Sequence, residues 1–183
     1  MDSLAGQLLI AMPQMEDPRF SRSVVFMCAH SADGAMGLVV NKTVEQPSMG
    51  ELLRQLGIEG DGLSRARVHF GGPVEAGRGF VLHSTDYTEQ ATLVVGGDIG
   101  LTATIDILRA ISRGEGPRRN IFALGYAGWG PGQLDAEIQA NGWLTVPSDE
   151  ALLFDQGKDD KWRRAIAKLG VDPFSISGDA GHA

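Results

Sequence analysis

The chain has 183 residues, and its 23 acidic and 16 basic side chains give a formal net charge of −7 at pH 7. This acidic balance argues against a broad nucleic-acid-binding face and against attraction to anionic membranes. A chain of this length buries about 70% of its unfolded surface, so it needs neither a disulfide nor a metal to fold. We expect a single domain over residues 1–183, with room for a smaller subdomain within it.

The cysteine content and the apolar runs indicate a cytoplasmic protein. The N-terminal segment lacks a basic region, and Pro13 interrupts its apolar stretch, which is atypical of a secretory signal. No apolar run reaches the roughly 18 residues that cross a bilayer. Cys28 is the single cysteine, so an intramolecular disulfide is excluded. We therefore expect a cytoplasmic location and no membrane partner.

Apolar runs bounded by turn residues predict eight strands. In chain order they are Gly6–Ala11, Ser23–His30, Met36–Val40, Val68–Phe70, Gly79–His83, Thr92–Val95, Asn120–Gly125 and Trp143–Val146. The second strand is apolar on both faces, which predicts a central strand covered on both sides. A turn signal at Asp33-Gly34 joins it to the third strand as a hairpin.

Helix-type periodicity and capping residues predict five helices. They are Ser48–Leu56, Thr104–Arg113, Gln133–Asn141, Asp149–Phe154 and Asp159–Leu169. Ser48 and Thr104 are the expected N-caps of the first two, with Glu51 completing a capping box. Because the 25 glycines sit beside strand-like runs, they indicate turns and bulges. The sequence thus predicts an α+β fold with a mixed, mostly antiparallel sheet, curled into a pseudo-barrel and flanked by helices.

Searches for catalytic and cofactor motifs give no complete match. The run after the third strand ends in Lys42-Thr43 like a phosphate-binding loop, but Asn41 stands where that loop requires glycine. A solvated strand end explains the same residues, and Asn41 is kept as a candidate ligand-binding residue. The four histidines lack metal-ligand spacing, and no serine-hydrolase elbow is present. We predict no cofactor and no metal.

Arg78 and His83 are the weak catalytic candidates. Arg78 lies between two glycines, so little bulk shields it, and its guanidinium could clamp a carboxylate or phosphate. The alternative is a structural pairing with Glu75. His69 and His83 flank a Gly-Gly-Pro break and could converge, although a structural role is the commoner one for such a pair. Arg78 also counts among the candidate ligand-binding residues.

The run GYAGWGPGQL, Gly125–Leu134, is the most distinctive stretch of the chain. We interpret it as a strand that leaves at Gly125, a glycine turn, and a helix that starts at Pro131. Trp129 could be displayed at a surface or pocket mouth, with Gln133 and Glu137 beside it on one helix face. These three are candidate binding residues, and a purely architectural role of the segment is the alternative.

The distribution of the arginines along the sequence indicates what kind of anion-binding site the protein could have. Residues 61–120 hold seven arginines, no lysine and seven acidic residues. A local arginine-lined anion site fits this distribution, whereas a broad basic face does not. The doublets Arg118-Arg119 and Arg163-Arg164 head no helix-turn-helix pattern, which argues against direct DNA binding.

Five ordered blocks resemble the bacterial YqgE/AlgH family. They are LLIAMPQMEDPRFSRSVVFMCAH, GAMGLVVNK, GGPVEAGRGFVLHS, GYAGWGPGQLDAEIQANGWLTVP and the terminal GHA, and together they span nearly the whole chain. The resemblance implies an α+β fold with a sheet curled into a pseudo-barrel. It also carries the label of transcriptional regulator, but no established catalytic residues to transfer.

Three functional hypotheses follow. The first is a non-enzymatic regulatory or binding protein that uses Gly125–Leu134 and Gly71–Ser84 to hold an unknown protein or small ligand. It expects Trp129→Ala to abolish partner capture while leaving the fold intact. The alternative is an enzyme for a small anionic substrate, in which Arg78 and His83 must line one pocket. The third is regulation by direct DNA contact, which the charge makes the weakest.

Overall fold

The computed structural model describes residues 3–60, 62–63, 66–154 and 158–169. Its ten strands are β1 (Gln7–Ala11), β2 (Val24–Ser31), β3 (Gly34–Val39), β4 (Thr43–Val44), β5 (Val68–Phe70), β6 (Val74–Ser84), β7 (Leu93–Val95), β8 (Ile99–Thr102), β9 (Asn120–Trp129) and β10 (Trp143–Pro147). Its five helices are α1 (Met49–Gln55), α2 (Ile105–Ser112), α3 (Gln133–Gln139), α4 (Glu150–Leu153) and α5 (Lys158–Ala167). His182 and the terminal Gly-His-Ala block lie outside the described residues.

The strands form one sheet in the order β10-β1-β2-β3-β9-β6-β8-β7, with β5 added beside β9 and β4 beside β5. All of these pairings are antiparallel except β5 with β9, which is parallel. The sheet is strongly curled, so it approximates half of a barrel. The α+β fold with a mixed, mostly antiparallel, curled sheet is therefore confirmed.

Alternation along the strands divides the core between the two faces of the sheet. Leu8 and Ile10 of β1 belong to the cluster inside the curl, which α4 and α5 cover. Leu9 and Ala11 belong to a cluster outside the curl that contains Leu134 of α3. A third cluster packs α1 and α2 on the outer face around β5 and β6. Since successive side chains of a strand point to opposite faces, β1, β2 and β3 each contribute to two clusters.

Several local predictions are confirmed. β2 is buried on both faces, with Phe26 in the inner cluster and Met27 in the outer one. The hydroxyl of Ser48 accepts a hydrogen bond from the backbone N–H of Glu51, and Thr104 caps α2 in the same way. These caps satisfy backbone donors that a helix start leaves unpaired.

Two backbone features differ from the predictions. β9 does not end at Gly125 but continues to Trp129, because Gly125 takes a φ of 76° inside the strand and bends it. β6 begins at Val74, and its register against β9 shifts between Val74 and Gly79. The residues between them form a bulge that carries Arg78. The sequence pattern does not predict β4 or β8.

Candidate binding cleft

The end of β9 and the start of α3 are held by one carboxylate. Oε1 of Glu137 accepts hydrogen bonds from the indole Nε1 of Trp129 at 3.1 Å and of Trp143 at 2.9 Å. Its Oε2 accepts from Nε2 of Gln133 at 2.9 Å. Oε1 of Gln133 in turn accepts from the backbone N–H of Gly130 at 3.0 Å. Gln133 and Glu137 therefore share one helix face, as predicted, and both orient the end of β9.

Trp129 is mostly buried and not displayed. Only 7% of its surface is exposed, and its ring stacks on Phe20 with centroids 6.5 Å apart. Trp143 packs edge-on against it at 6.0 Å. Because this indole fills the core, the expectation that Trp129→Ala leaves the fold intact does not agree with the structure. The small exposed part of the ring borders two cavities.

Asn41 joins two backbone segments. Its Oδ1 accepts from the backbone N–H of Val24 at 2.8 Å, and its Nδ2 donates to the carbonyl oxygen of Arg22 at 2.8 Å. Both polar ends of the side chain are thus engaged by the chain itself. The geometry gives Asn41 a structural task at the end of β3.

His83 lies fully buried with both ring nitrogens engaged. Nδ1 donates to the carbonyl oxygen of Ser84 at 2.8 Å, and Nε2 lies 2.7 Å from the hydroxyl of Thr102. In the neutral ring that hydroxyl donates to Nε2, since the carbonyl of Ser84 only accepts. His83 follows the outer face of β6 with Val81, whereas Arg78 lines a cavity with Phe80 on the inner side. The structure therefore does not bring Arg78 and His83 into one pocket.

Arg78 is exposed, and its guanidinium lies close to two neighbouring side chains. Its side chain is 55% exposed, and Nη1 lies 3.7 Å from a carboxylate oxygen of Glu75. The guanidinium carbon lies 5.0 Å above the ring centre of Phe80. The neighbouring hydroxyl of Tyr126 hydrogen-bonds Glu75, and this carboxylate raises the pKa of Tyr126. An exposed ion pair of this kind stabilises the fold little, so the guanidinium remains open to an anion.

The segments Gly71–Ser84 and Gly125–Leu134 meet in one concave surface. A cavity of about 740 Å³, here called the Arg78 cleft, lies on the inner side of the curled sheet. Its walls combine the guanidinium of Arg78 and the carboxylate of Asp33 with apolar and aromatic groups, chiefly Met36, Phe80, Leu93 and Tyr126. Its volume falls within the range of small-molecule sites, about 300–1,000 Å³. The sequence pattern does not identify Leu93, because it lies on a strand without a binding motif, and it includes Tyr126 only as part of the segment Gly125–Leu134.

A second cavity lies beside the first across the ridge of Val74, Gly128 and Trp129. It measures about 500 Å³ and is lined by residues around the Glu137 carboxylate, among them Phe20 and Gln133. In the described part of the chain, no group of three or more His, Cys, Asp or Glu side chains could hold a metal ion. No helix there is long and apolar enough to span a membrane.

His30 and Asp135 form a contact that sequence reasoning missed. Nδ1 of His30 accepts from the backbone N–H of Leu4 at 3.0 Å, so its Nε2 carries the proton of the neutral ring. Nε2 lies 3.2 Å from Oδ1 of Asp135, in a poorly aligned contact. The pair joins β2 to α3 behind the cleft. No sequence signal marks it, because the two residues are far apart in the chain.

The fold and the cleft define an α+β protein with a curled, mostly antiparallel sheet whose candidate site is a concave binding surface. The chain belongs to the AlgH-like family, whose model (DUF179) matches residues 8–174. This agrees with the resemblance seen in the sequence.

Named relatives and solved structures support this assignment. The chain is 53% identical over 98% of its length to a UPF0301 protein of Rhodospirillum rubrum, covering 94% of that protein. It is 56% identical to a UPF0301 protein of Cereibacter sphaeroides, covering 98% of this chain and 99% of the relative. The solution structure of the AlgH protein from Pseudomonas aeruginosa superposes with a TM-score of 0.79 at 40% identity, covering 97% of this chain and 95% of that one. A crystal structure of protein DIP2367 from Corynebacterium diphtheriae shares the fold, with a TM-score of 0.74 at 18% identity and coverage of 92% and 88%.

Proposed function

We propose that this chain is a non-enzymatic regulatory protein that works by binding a ligand in the Arg78 cleft. The observation that carries the proposal is the meeting of Gly71–Ser84 and Gly125–Leu134 in that one cleft. The ligand carries a carboxylate or phosphate next to an apolar group. Arg78 supplies the charge for the anion, and the apolar walls bury the remainder.

The state of the cleft before binding supports this function. The guanidinium of Arg78 lies above Phe80 and near Glu75 at the cavity, and Glu137 fixes the Trp129 ridge. Side chains that are ordered before binding lose little conformational freedom when a ligand arrives. A catalytic role for His83 gains no support from its geometry, because both ring nitrogens are already engaged in the core.

The proposal excludes regulation by direct DNA contact and keeps the protein in the cytoplasm. A net charge of −7 disfavours the approach of a phosphate backbone. The reduced, buried thiol of Cys28 is compatible with a reducing compartment. A gel-shift assay on genomic fragments at low salt is expected to give no shifted band, and a salt-sensitive shift would contradict this part of the proposal.

Titration with small probes tests the cleft directly. We expect phenylacetate to shift the backbone amide NMR signals of the cleft saturably, and the neutral analogue 2-phenylethanol to bind about tenfold more weakly because it lacks the anion. Arg78→Gln should remove the difference between the probes. Arg109→Gln is the matched control, since Arg109 pairs with Asp106 at 3.7 Å just as Arg78 pairs with Glu75.

The role of the apolar wall of the cleft can be tested with a pair of neighbouring residues. Leu93 and Val94 are neighbours on the edge strand β7 with exposures of 51% and 47%, but only Leu93 lines the cleft. Leu93→Asp should abolish the saturable shifts, whereas Val94→Asp should leave them. Equal effects of the two changes, or no saturable shift in the unchanged protein, would refute the proposed site.

A further inference from the structure

Three arginines from two distant segments meet at one edge of the sheet. Arg67 immediately precedes β5, and Arg118 and Arg119 immediately precede β9. β5 and β9 run parallel, with Val68 opposite Phe122. Because parallel strands begin at the same edge, this pairing places the three arginines side by side. The sheet has no other parallel pairing among its described strands.

The backbone that carries two of them is pinned by hydrogen bonds. The backbone N–H of Arg119 donates to the hydroxyl oxygen of Ser84 at 3.1 Å, and the N–H of Arg118 donates to a carboxylate oxygen of Asp86 at 3.0 Å. The Ser84 hydroxyl also donates to the other oxygen of Asp86, and this bond, with the Arg118 N–H, lowers the pKa of Asp86. The carboxylate is therefore engaged by the backbone of Arg118 and by Ser84.

The three guanidinium groups form no close ion pair in the described part of the chain, and Asp86 interacts with Arg118 only at longer range, where the positive charge helps to lower the pKa of Asp86. None of the ion pairs within 4.0 Å there involves Arg67, Arg118 or Arg119. Asp86 and Glu150 line a smaller neighbouring cavity of about 190 Å³, to whose wall Arg118 and Arg119 also contribute. A cluster of cations that form no close ion pair with any described residue is unusual in a chain whose net charge is −7, and it attracts small anions.

These arginines surround a cavity large enough for a ligand. It measures about 520 Å³, and its polar wall consists of Arg67, His69, Arg118, Arg119 and Asn120. From this geometry we infer that this arginine cavity binds the phosphate groups of a small molecule with two or more negative charges, of the size of a nucleoside diphosphate. Guanidinium groups match phosphate oxygens with paired hydrogen bonds, and three of them balance several charges.

The concave shape favours a small molecule over a nucleic acid. The three arginines line one cavity, and two of them also line its smaller neighbour, whereas a nucleic acid needs cations along an extended face. The cavity is also separate from the Arg78 cleft, since the two share no lining residue. The inference therefore stands or falls independently of the proposed function.

Isothermal titration calorimetry with pyrophosphate, ADP, adenosine and citrate tests the inference. Pyrophosphate and ADP should bind saturably, adenosine should not, and citrate should bind more weakly because its carboxylates are spaced differently. The double variant Arg118→Ala/Arg119→Ala should weaken ADP at least about tenfold. The control Arg109→Ala/Arg113→Ala removes the same charge from exposed positions outside the cavity and should leave ADP binding within about twofold.

Several results would overturn the inference. These are the absence of saturable ADP binding, equal losses in the two double variants, and citrate binding as tightly as pyrophosphate. A single-stranded RNA oligonucleotide that binds more tightly than ADP and depends on the same arginines would replace the small molecule by a nucleic acid. Arg78→Gln should not change ADP affinity, which separates this site from the Arg78 cleft.

Discussion

The indole Nε1 of Trp129 donates a hydrogen bond to Oε1 of Glu137 across 3.1 Å. The last residue of β9 is thereby tied to the second turn of α3, over a chain reversal that contains Gly130, Pro131 and Gly132. Trp143 at the start of β10 donates to the same oxygen. One partly buried carboxylate thus sets the positions of three elements, and with them the ridge between the two neighbouring cavities.

Removing this carboxylate should destabilise the fold. Glu137→Leu leaves two indole N–H groups without their acceptor, and we expect a loss of about 2 kcal/mol in the free energy of unfolding. Glu137→Gln keeps an acceptor oxygen and should lose about half as much. Urea unfolding followed by tryptophan fluorescence measures both. Gln139→Leu, on the exposed side of the same helix, is the control, and a Glu137→Leu stability equal to that control would contradict the role given to this carboxylate.

Trp129 itself should act through packing. Trp129→Ala opens a cavity beside Phe20 and Trp143, and we expect a loss of about 3 kcal/mol or more in unfolding free energy. Trp129→Phe keeps a ring there and should cost clearly less. Thermal unfolding by circular dichroism compares the two. An alanine variant as stable as the unchanged protein would mean that the ring is displayed after all.

Gly125 should tolerate no side chain. Its φ of 76° is unfavourable for other residues, and a Cβ there would collide with the carbonyl oxygen of Gly72, in the link between β5 and β6. Gly125→Ala should therefore cost at least about 2 kcal/mol. Gly77 lies in the β6 bulge, and a methyl group added there would meet no atom within 4 Å, so Gly77→Ala should be nearly neutral. Similar denaturant midpoints for the two variants would contradict the close approach of Gly125 to the carbonyl oxygen of Gly72.

Cys28 should be unreactive in the folded protein. Burial in the inner cluster raises the pKa of its thiol to about 12, from 9.0, so the nucleophilic thiolate is scarce at pH 8. A disulfide reagent should modify the thiol only after unfolding in urea. Rapid modification of the native protein would contradict its burial.

Because of the same thiol, the free energy of unfolding should depend on pH in the alkaline range. The pKa of the Cys28 thiol is higher in the folded than in the unfolded protein. The contribution of the protonated thiol to the free energy of unfolding is therefore complete below pH 9 and is lost progressively as the pH rises towards about 12. Between these two pH values, the free energy of unfolding should fall by up to about 1.4 kcal/mol per pH unit. Cys28→Ala lowers stability at all pH values but should remove this part of the slope, which unfolding at pH 8 and pH 10 measures.

Patterns that act within a few residues predict much of the fold. Both faces of β2 are apolar, which predicts a doubly covered strand, and the caps at Ser48 and Thr104 follow from side-chain chemistry. β8 escapes prediction because Gly100 interrupts a short apolar run. The predicted end of β9 is too early because Gly125 signals a turn, although in the structure it bends a continuing strand.

The candidate sites are harder to predict from the sequence than the fold, because they depend on pairings between distant segments of the chain. The sequence singles out both segments of the Arg78 cleft, and alternation along a regular strand already separates Arg78 from His83. The sequence does not show that Arg78 lines the cleft or that His83 lies buried in the core. It allows an arginine-lined anion site without locating it. The parallel pairing of β5 with β9, which unites Arg67 with Arg119, leaves no local pattern in either segment.

β1 cannot complete its hydrogen bonds until β10 has been made. Leu9 lies opposite Thr145, and Trp162 of α5 donates its indole N–H to the carbonyl oxygen of Ala11 at 2.8 Å. During synthesis, an apolar strand near the beginning of the chain thus keeps one edge open while most of the protein leaves the ribosome. Such an edge invites pairing with other chains. Ribosome-bound intermediates that stop before β10 should therefore be the species most dependent on chaperones.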